Sequence, residues 1–470
     1  MRVLLLWTFL CLVFFVQSFA QELTVQCDRP LGTFHAHHGL NGGVLNHGGT
    51  VDLSERWKAA GIPSTRLHDC EWPAPNVVDI HAIFPDFRND PGDPDSYRFG
   101  PTDDYLAAIV NSGSKIIYRL GESIEHTERK YYVNPPPDNC KWATICLHII
   151  KHYNEGWNGG FHYGIQYWEI WNEPENKPQM WTGTDEEFFE LYKVSSKVLK
   201  EAFPDLSIGG PSIGAGFVRI ENGWDMSPYA KNFLQFVKDN NAPLDFYSWH
   251  TYTNKPMEYV EKAFVARKYL DELGFIGTEI HMNEWNYLPD NDWGPMLDTS
   301  DPRKREAWYE RMGGAEGAAF VACVLIELQG APVDVSNFFK NYGSFGIFTE
   351  HGVPKKVYFA MKAFNELLKT PIRLYADGGM ENVTSITAGT NEERNEVTVL
   401  IGKLLSNEPK INVILNAFPW EGHANFELYL TDDIHEFEKI DSGSIEIENR
   451  IVRFELETPS SSVVLLKIRK

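Results

Sequence analysis

The sequence predicts an α/β fold: a (β/α)8 TIM barrel carrying an accessory C-terminal all-β domain, a β-sandwich. Three observations predict it. From about residue 34 to 369, short apolar runs alternate with amphipathic segments of helical period, the pattern of βα units. Eight strand candidates fall in that stretch, which favours a closed barrel over an open doubly wound sheet. After about residue 370 the helical period is lost, and short strand-like runs separated by polar or Gly/Asn turns take over.

The barrel strands are expected at residues 33–38, 64–68, 115–120, 166–171, 207–210, 244–250, 279–284 and 334–339. Helices stand between them. Thr184-Asp185-Glu186-Glu187 reads as a capping segment, followed by Phe188, Leu191, Tyr192, Val194 and Val198 at helical spacing. Residues 257–273 and 355–368 read the same way. The all-β part is expected from strands at 397–405, 411–418, 425–430, 444–448, 451–456 and 462–468, with residues 22–26 adding one more. The organisation is thus a targeting segment (1–20), an N-terminal segment offering a strand to the sandwich (21–33), a catalytic barrel (34–369) and a β-sandwich (370–470). No strand is followed by GxGxxG or a P-loop, so no nucleotide cofactor is expected.

Arg2, the apolar run from Val3 to Val16, and Ser18-Phe19-Ala20 read as a signal peptide cleaved after Ala20. The protein is therefore expected to be secreted or periplasmic, with no membrane attachment after cleavage. Five cysteines remain: Cys27, Cys70, Cys140, Cys146 and Cys323. An odd number leaves at least one thiol unpaired, and Cys140 and Cys146 are near enough in sequence to be considered for a local bridge. A net charge of −22 argues against nucleic acid and anionic membrane surfaces as partners. Composition leaves the oligomeric state open.

In a barrel of this kind, reactive groups sit at the C-terminal ends of strands. The fourth strand candidate ends Trp171-Asn172-Glu173-Pro174-Glu175, with Pro174 stopping the ladder just after Glu173. The seventh ends His281-Met282-Asn283-Glu284-Trp285. Two carboxyls at two strand ends are what glycoside hydrolysis needs: one protonates the leaving oxygen and the other attacks the anomeric carbon.

Trp171-Asn172-Glu173-Pro174 resembles the acid/base motif of the clan of retaining glycosidases with barrel catalytic domains. More narrowly, the chain resembles glycoside hydrolase family 39, the β-xylosidase and α-L-iduronidase family. The supporting stretches are Ser64-Thr65-Arg66-Leu67-His68, the segment from Asp245 to Thr253 with His250 and Tyr252, and Gly343-Ser344-Phe345-Gly346-Ile347 with Gly352-Val353-Pro354-Lys355 and Tyr358. The resemblance implies Glu173 as acid/base and Glu284 as nucleophile. Glu173 should be protonated at rest, its pKa raised by Glu284 and by burial. Glu284 should be ionised, held by Arg66 and Tyr252. Asn172 should bind the sugar 2-hydroxyl. His250, His68, Trp285, Glu122 and His38 complete the expected substrate-binding set, and Trp171, Trp181 and Trp293 are further candidate sugar platforms. Asn283 stands where the family often has Thr, and Asp69 where it has Gly; both departures bear on which sugar is accepted. No metal site is expected, since neighbouring residues such as His37 and His38 point to opposite faces of a strand.

The expected function is a retaining glycoside hydrolase of β-xylosidase type acting on a plant or algal poly- or oligosaccharide. An α-L-arabinofuranosidase, another clan glycosidase, or a catalytically silent carbohydrate-binding protein are the alternatives.

Overall fold

The computed structural model describes residues 20–46, 49–70 and 76–470; the targeting segment lies outside them except for Ala20. Eight strands close a barrel: β1 (Gly39–Asn41), β2 (Ser64–Leu67), β3 (Lys115–Leu120), β4 (Tyr167–Ile170), β5 (Ser207–Ile213), β6 (Phe246–Thr253), β7 (Glu279–Tyr287) and β8 (Val335–Phe338). Each pairs in parallel with the next, and β8 closes on β1.

Seven strands lie where the sequence puts them, while the first begins later than residues 33–38. Residues up to Thr33 are taken by a long strand, Gln21–Thr33, that pairs outside the barrel. β1 opens on Gly39, where a Cβ would stand 2.4 Å from Ser64 Oγ and 2.6 Å from the Ser336 carbonyl. The glycine lets β1 fit between β2 and β8. His38 therefore precedes β1 at the end of the barrel opposite its C-terminal mouth, packed edge-on against Phe364 of the last helix.

The all-β part is one continuous nine-stranded ladder that includes Gln21–Thr33, as the sequence suggests, and two strands the sequence reading missed, Ile372–Asp377 and Thr384–Thr390. Gln21–Thr33 runs parallel to Lys410–Asn416 and antiparallel to Ile372–Asp377. Strands near opposite ends of the ladder meet face to face: Phe426 and Phe454 have ring centroids 5.1 Å apart. The sheet thus folds over on a shared core that includes Leu23, Val25, Val399, Ile411, Val413 and Leu466, as sandwich packing requires.

Helix Ala315–Glu327 joins the two parts. Nearly all its residues are buried, because the barrel covers one side and the sheet the other; a helix apolar all round must be covered all round. Gly402 of the sheet lies so near that a Cβ there would meet Cys323 Sγ at 2.8 Å. Across the same seam Ser385 donates to Glu327 at 2.6 Å. No single helix among the described residues is long and apolar enough to cross a membrane.

Cys140 and Cys146 lie on one helix, Asn139–Glu155, with Cys140 exposed and Cys146 buried. Six residues of helix separate their Cα atoms by about 9 Å along the axis, beyond a disulfide's reach, and all five cysteines are free. In the chain from residue 20 onward, a thiol reagent should modify Cys140 alone under native conditions, the rest reacting only after unfolding. A second thiol reacting natively, or a melting temperature that falls on reduction, would contradict this.

Candidate active site

The C-terminal ends of the strands surround a pocket of about 580 Å³, lined by Glu173, Glu284, His250, Tyr252, His68 and Asp69 among others. Its floor is made by Arg66 of β2, which is fully buried. A guanidinium has five N–H donors, and all five directions are met: Nε by Glu169 (2.7 Å), one terminal nitrogen by Asn41 (3.0 Å) and Glu284 (3.3 Å), the other by Asn172 (2.6 Å) and Ser212 (2.7 Å). Arg66 thus ties together residues from β1, β2, β4, β5 and β7. It sits beneath the pocket, so its expected place as a direct substrate ligand changes to that of a positioning residue.

Local backbone geometry aims the carboxylates. Trp171 and Glu173 have φ of +72° and +42°, left-handed values uncommon for residues with a Cβ. The chain turns sharply at the end of β4, so Trp171 points into the protein and donates to the Met180 carbonyl at 2.8 Å, while Glu173 faces the pocket. In β7 the pairing with β6 runs Trp249 with Met282, then His250 with Glu284. Asn283 is the extra residue of a β-bulge, which re-aims the strand. Asn283 and Glu284 consequently both face the barrel interior. Asn283 bonds Glu169 and Ser212, and Glu284 reaches the pocket.

One oxygen of Glu173, one of Glu284 and a ring nitrogen of His250 lie within 4.8 Å of one another. His250 links the pair. Its Nδ1 is 2.8 Å from Glu173 Oε1, and its Nε2 is 2.5 Å from Ser212 Oγ and 3.7 Å from Glu284 Oε2. Both ring nitrogens face acceptors, the arrangement an imidazolium wants. Burial opposes the charge on His250, but Glu284 and Glu173 outweigh it and raise its pKa. The effect on Glu173 runs against expectation. Burial pushes its carboxyl up, but the hydrogen bond and charge of His250, with Asn176 and Arg66, hold it below the ordinary value. The pair thus shifts in opposite directions, the imidazole favouring its proton and the Glu173 carboxyl favouring its loss. Glu284 accepts from the Tyr252 hydroxyl at 2.6 Å and from Arg66. Burial and Glu284 keep the Tyr252 phenol protonated.

The other expected residues divide. Asn172 is buried beside the floor, its Oδ1 accepting from Arg66 and from Ser212 at 3.1 Å. His68 lines the pocket, 3.3 Å from Asp69. Trp285 does not reach it. Following the bulge, it faces outward, donates to Ser336 Oγ at 2.8 Å and packs against Tyr259 and Phe338. Trp181 is likewise buried, bonded to the Thr184 carbonyl. Trp293 alone of the four candidate tryptophans lines the pocket, edge-on to Tyr252 at 5.1 Å. Glu122 lies in a neighbouring cavity, paired with His81, and His38 is at the far end of the barrel. Sequence reasoning missed Ser212, Asn41 and Asn176. Ser212 follows Gly209-Gly210-Pro211, where the fifth strand appeared to stop; Asn41 was missed because the first strand was placed too early. Glu175 turns aside and accepts from the Ala215 amide at 2.7 Å. Burial and Glu173 raise its pKa to about 7.

Among the described residues, two sets of ligand atoms are close enough to share a metal: Glu173–His250–Glu284 and Asp79–His81–Glu122. In the first, both nitrogens of His250 are committed to Glu173 and Ser212. In the second, Asp79 is held by Arg119, the Ser123 amide and the Ser123 hydroxyl.

Against known proteins, the model of glycosyl hydrolases family 39 matches residues 76–401. A β-xylosidase of Geobacillus stearothermophilus is 28% identical over 288 residues, 53% of this chain and 50% of its own. A β-xylosidase of Caldicellulosiruptor saccharolyticus is 23% identical over 60% of this chain and 59% of its own. The match thus spans little more than half the length of these relatives. Among solved structures, a glucosidase from Croceicoccus marinus superposes with a TM-score of 0.79 at 23% identity, covering 96% of this chain and 99% of that one.

Removing a buried cation that holds two carboxylates leaves those charges uncompensated, at a cost of about 3–5 kcal/mol. Arg66→Met should destabilise the fold by about that amount in urea unfolding. A loss below about 1 kcal/mol would show that Glu169 and Glu284 do not depend on it.

Proposed function

Because the chain belongs to glycosyl hydrolases family 39, we propose that it is a retaining glycoside hydrolase, with Glu284 as nucleophile and Glu173 as acid/base. The observation that carries this reading is that one oxygen of Glu173 and one of Glu284 lie within 4.8 Å of each other, with His250 between the two carboxyls. Direct attack on the anomeric carbon requires carboxyls roughly 5–5.5 Å apart, whereas an interposed water requires roughly 6.5–9.5 Å. The first spacing is the one this site fits.

In the first step a Glu284 oxygen forms a bond to the anomeric carbon as the glycosidic C–O bond breaks. The leaving oxygen takes a proton through Glu173, which receives it from His250 Nδ1 along their 2.8 Å bond and is left as the carboxylate. In the second step Glu173 removes a proton from water. The water oxygen bonds the anomeric carbon, and Glu284 leaves as carboxylate. Arg66 and Tyr252 hydrogen-bond the Glu284 carboxyl and aim it at the pocket.

The substrate we propose is a β-xyloside of a plant or algal poly- or oligosaccharide, supported by the β-xylosidase relatives. Secretion is proposed on Arg2, the apolar run to Val16 and the small residues before Gln21.

Glu284→Gln should lower kcat on xylobiose by several orders of magnitude. Glu173→Ala should be badly impaired on xylobiose yet give a fast first turnover on a dinitrophenyl glycoside, whose leaving group needs no proton. Glu175→Ala is the control; if it shows that leaving-group dependence and Glu173→Ala does not, the acid/base is misassigned.

The basic limb of the pH–rate profile reports loss of the proton shared by His250 and Glu173. With His250's pKa raised, that proton is retained above the ordinary histidine range. In His250→Asn only the Glu173 carboxyl remains to hold it, so the basic limb should move to lower pH. A limb that stays in place or moves up would contradict the shared-proton arrangement.

A further inference from the structure

A second cavity, of about 390 Å³, is within the size range of small-molecule sites. The segments after β2 and β3 wall it. His81 and Glu122 form its polar corner, the exposed rings of Tyr131 and Tyr132 its rim, and Trp142 and Trp171 its inner wall. Its position relative to the reacting groups is fixed by the chain. Trp171 is two residues before Glu173, and Glu122 is two residues before Ile124, which lines the catalytic pocket. Two residues of chain span at most about 7 Å, so the cavities are neighbours. β3 and β4 also lie on the Glu173 side of the barrel, across from β7 and Glu284.

The chemistry of the lining is specific. The Tyr132 ring lies flat on the His81 ring, centroids 3.5 Å apart and planes 10° from parallel. His81 is fixed in that pose because its Nδ1 and its backbone N–H both engage the Glu122 carboxylate. The imidazole's Nε2 has no partner among the described residues. Tyr131 is 56% and Tyr132 46% exposed, although His81 covers one face of Tyr132 and the Arg129 guanidinium lies 5.1 Å from the centre of the Tyr131 ring. Flat aromatic faces beside a fixed donor and a buried carboxylate suit a ring that is apolar on its faces and hydroxylated at its edge. Glu122 was expected to bind substrate hydroxyls; the structure places it in this cavity and not among the residues lining the catalytic pocket.

We propose that this cavity holds the leaving-group half of the substrate, a neutral hydroxylated sugar ring stacked on Tyr132 with its hydroxyls on His81 and Glu122. The proposal rests on the hydrolase reading above: the acid/base carboxyl touches the glycosidic oxygen, so what lies beyond Glu173, away from Glu284, meets the departing sugar. Specificity for that sugar then resides in the segments after β2 and β3, apart from the groups that break the bond.

The test compares two substrates that share a glycone. Xylobiose departs with a sugar ring, whereas β-xylosyl fluoride departs with an ion too small to use the cavity. Tyr132→Ala and His81→Gln should lower kcat/KM on xylobiose at least tenfold and leave the fluoride within twofold of wild type. Equal loss on both substrates, no loss on either, or a wild-type enzyme that cleaves the fluoride and leaves xylobiose intact would overturn the proposal. If wild type cleaves neither, the hydrolase reading fails by itself. The cavity is then judged by calorimetric titration with xylotriose: binding that Tyr132→Ala abolishes sustains it, and no binding to wild type, or binding that Tyr132→Ala leaves intact, overturns it.

Discussion

The mouth of this barrel depends on one buried cation. Arg66 gives all five N–H groups to residues that approach from four other strand ends. A charge buried this far is tolerated only when its donors are matched. Glu169 supplies the balancing charge from below and Glu284 from the pocket. Glu169 is itself satisfied by Ser248 at 2.7 Å and by Asn283. The pocket groups are therefore outlying members of a polar lattice inside the barrel, and their positions follow from its hydrogen bonds.

The same lattice accounts for the irregular backbone above it. Ser212, Asp69, Trp171 and Glu173 all have left-handed φ values, and β7 carries its bulge at Asn283. Regular strands present alternate residues to the interior. Here Asn283 must bond Glu169 while its neighbour Glu284 must reach the pocket, and two successive inward side chains require the extra residue. Such departures cost energy and persist where surrounding contacts over-determine them. They cluster at the strand ends that carry the polar groups, which joins the energetics of the fold to the chemistry of the site.

This explains what could be read from the sequence. Seven of the eight barrel strands were legible because apolar runs and turn residues mark them directly. Glu173 and Glu284 were legible because a carboxylate at a strand end, with Pro174 behind one of them, is a local signal. The first strand was misplaced because Gln21–Thr33 continues the β pattern up to the barrel and belongs to another sheet. That error put His38 in the pocket and left Asn41 out. Trp285 was misassigned because strand alternation fails across a bulge, and a bulge has no sequence mark of its own here. The direction in which the Glu173 carboxyl is shifted was misjudged for a different reason: the group that pulls it down, His250, arrives from β6, far along the chain. The nine-stranded sheet was recognised by class, but its folding over on a single core depends on pairings between residues hundreds of positions apart.

The central claim is that Glu284 is the group that bonds the sugar. A 2-deoxy-2-fluoro xyloside with a dinitrophenyl leaving group slows the second step more than the first, so the covalent intermediate accumulates. Mass spectrometry of the proteolysed protein should then find one added fluoro-xylosyl group, on the peptide containing Glu284. A label on the peptide containing Glu173 or elsewhere, or turnover of the reagent with no label at any time, would contradict the account.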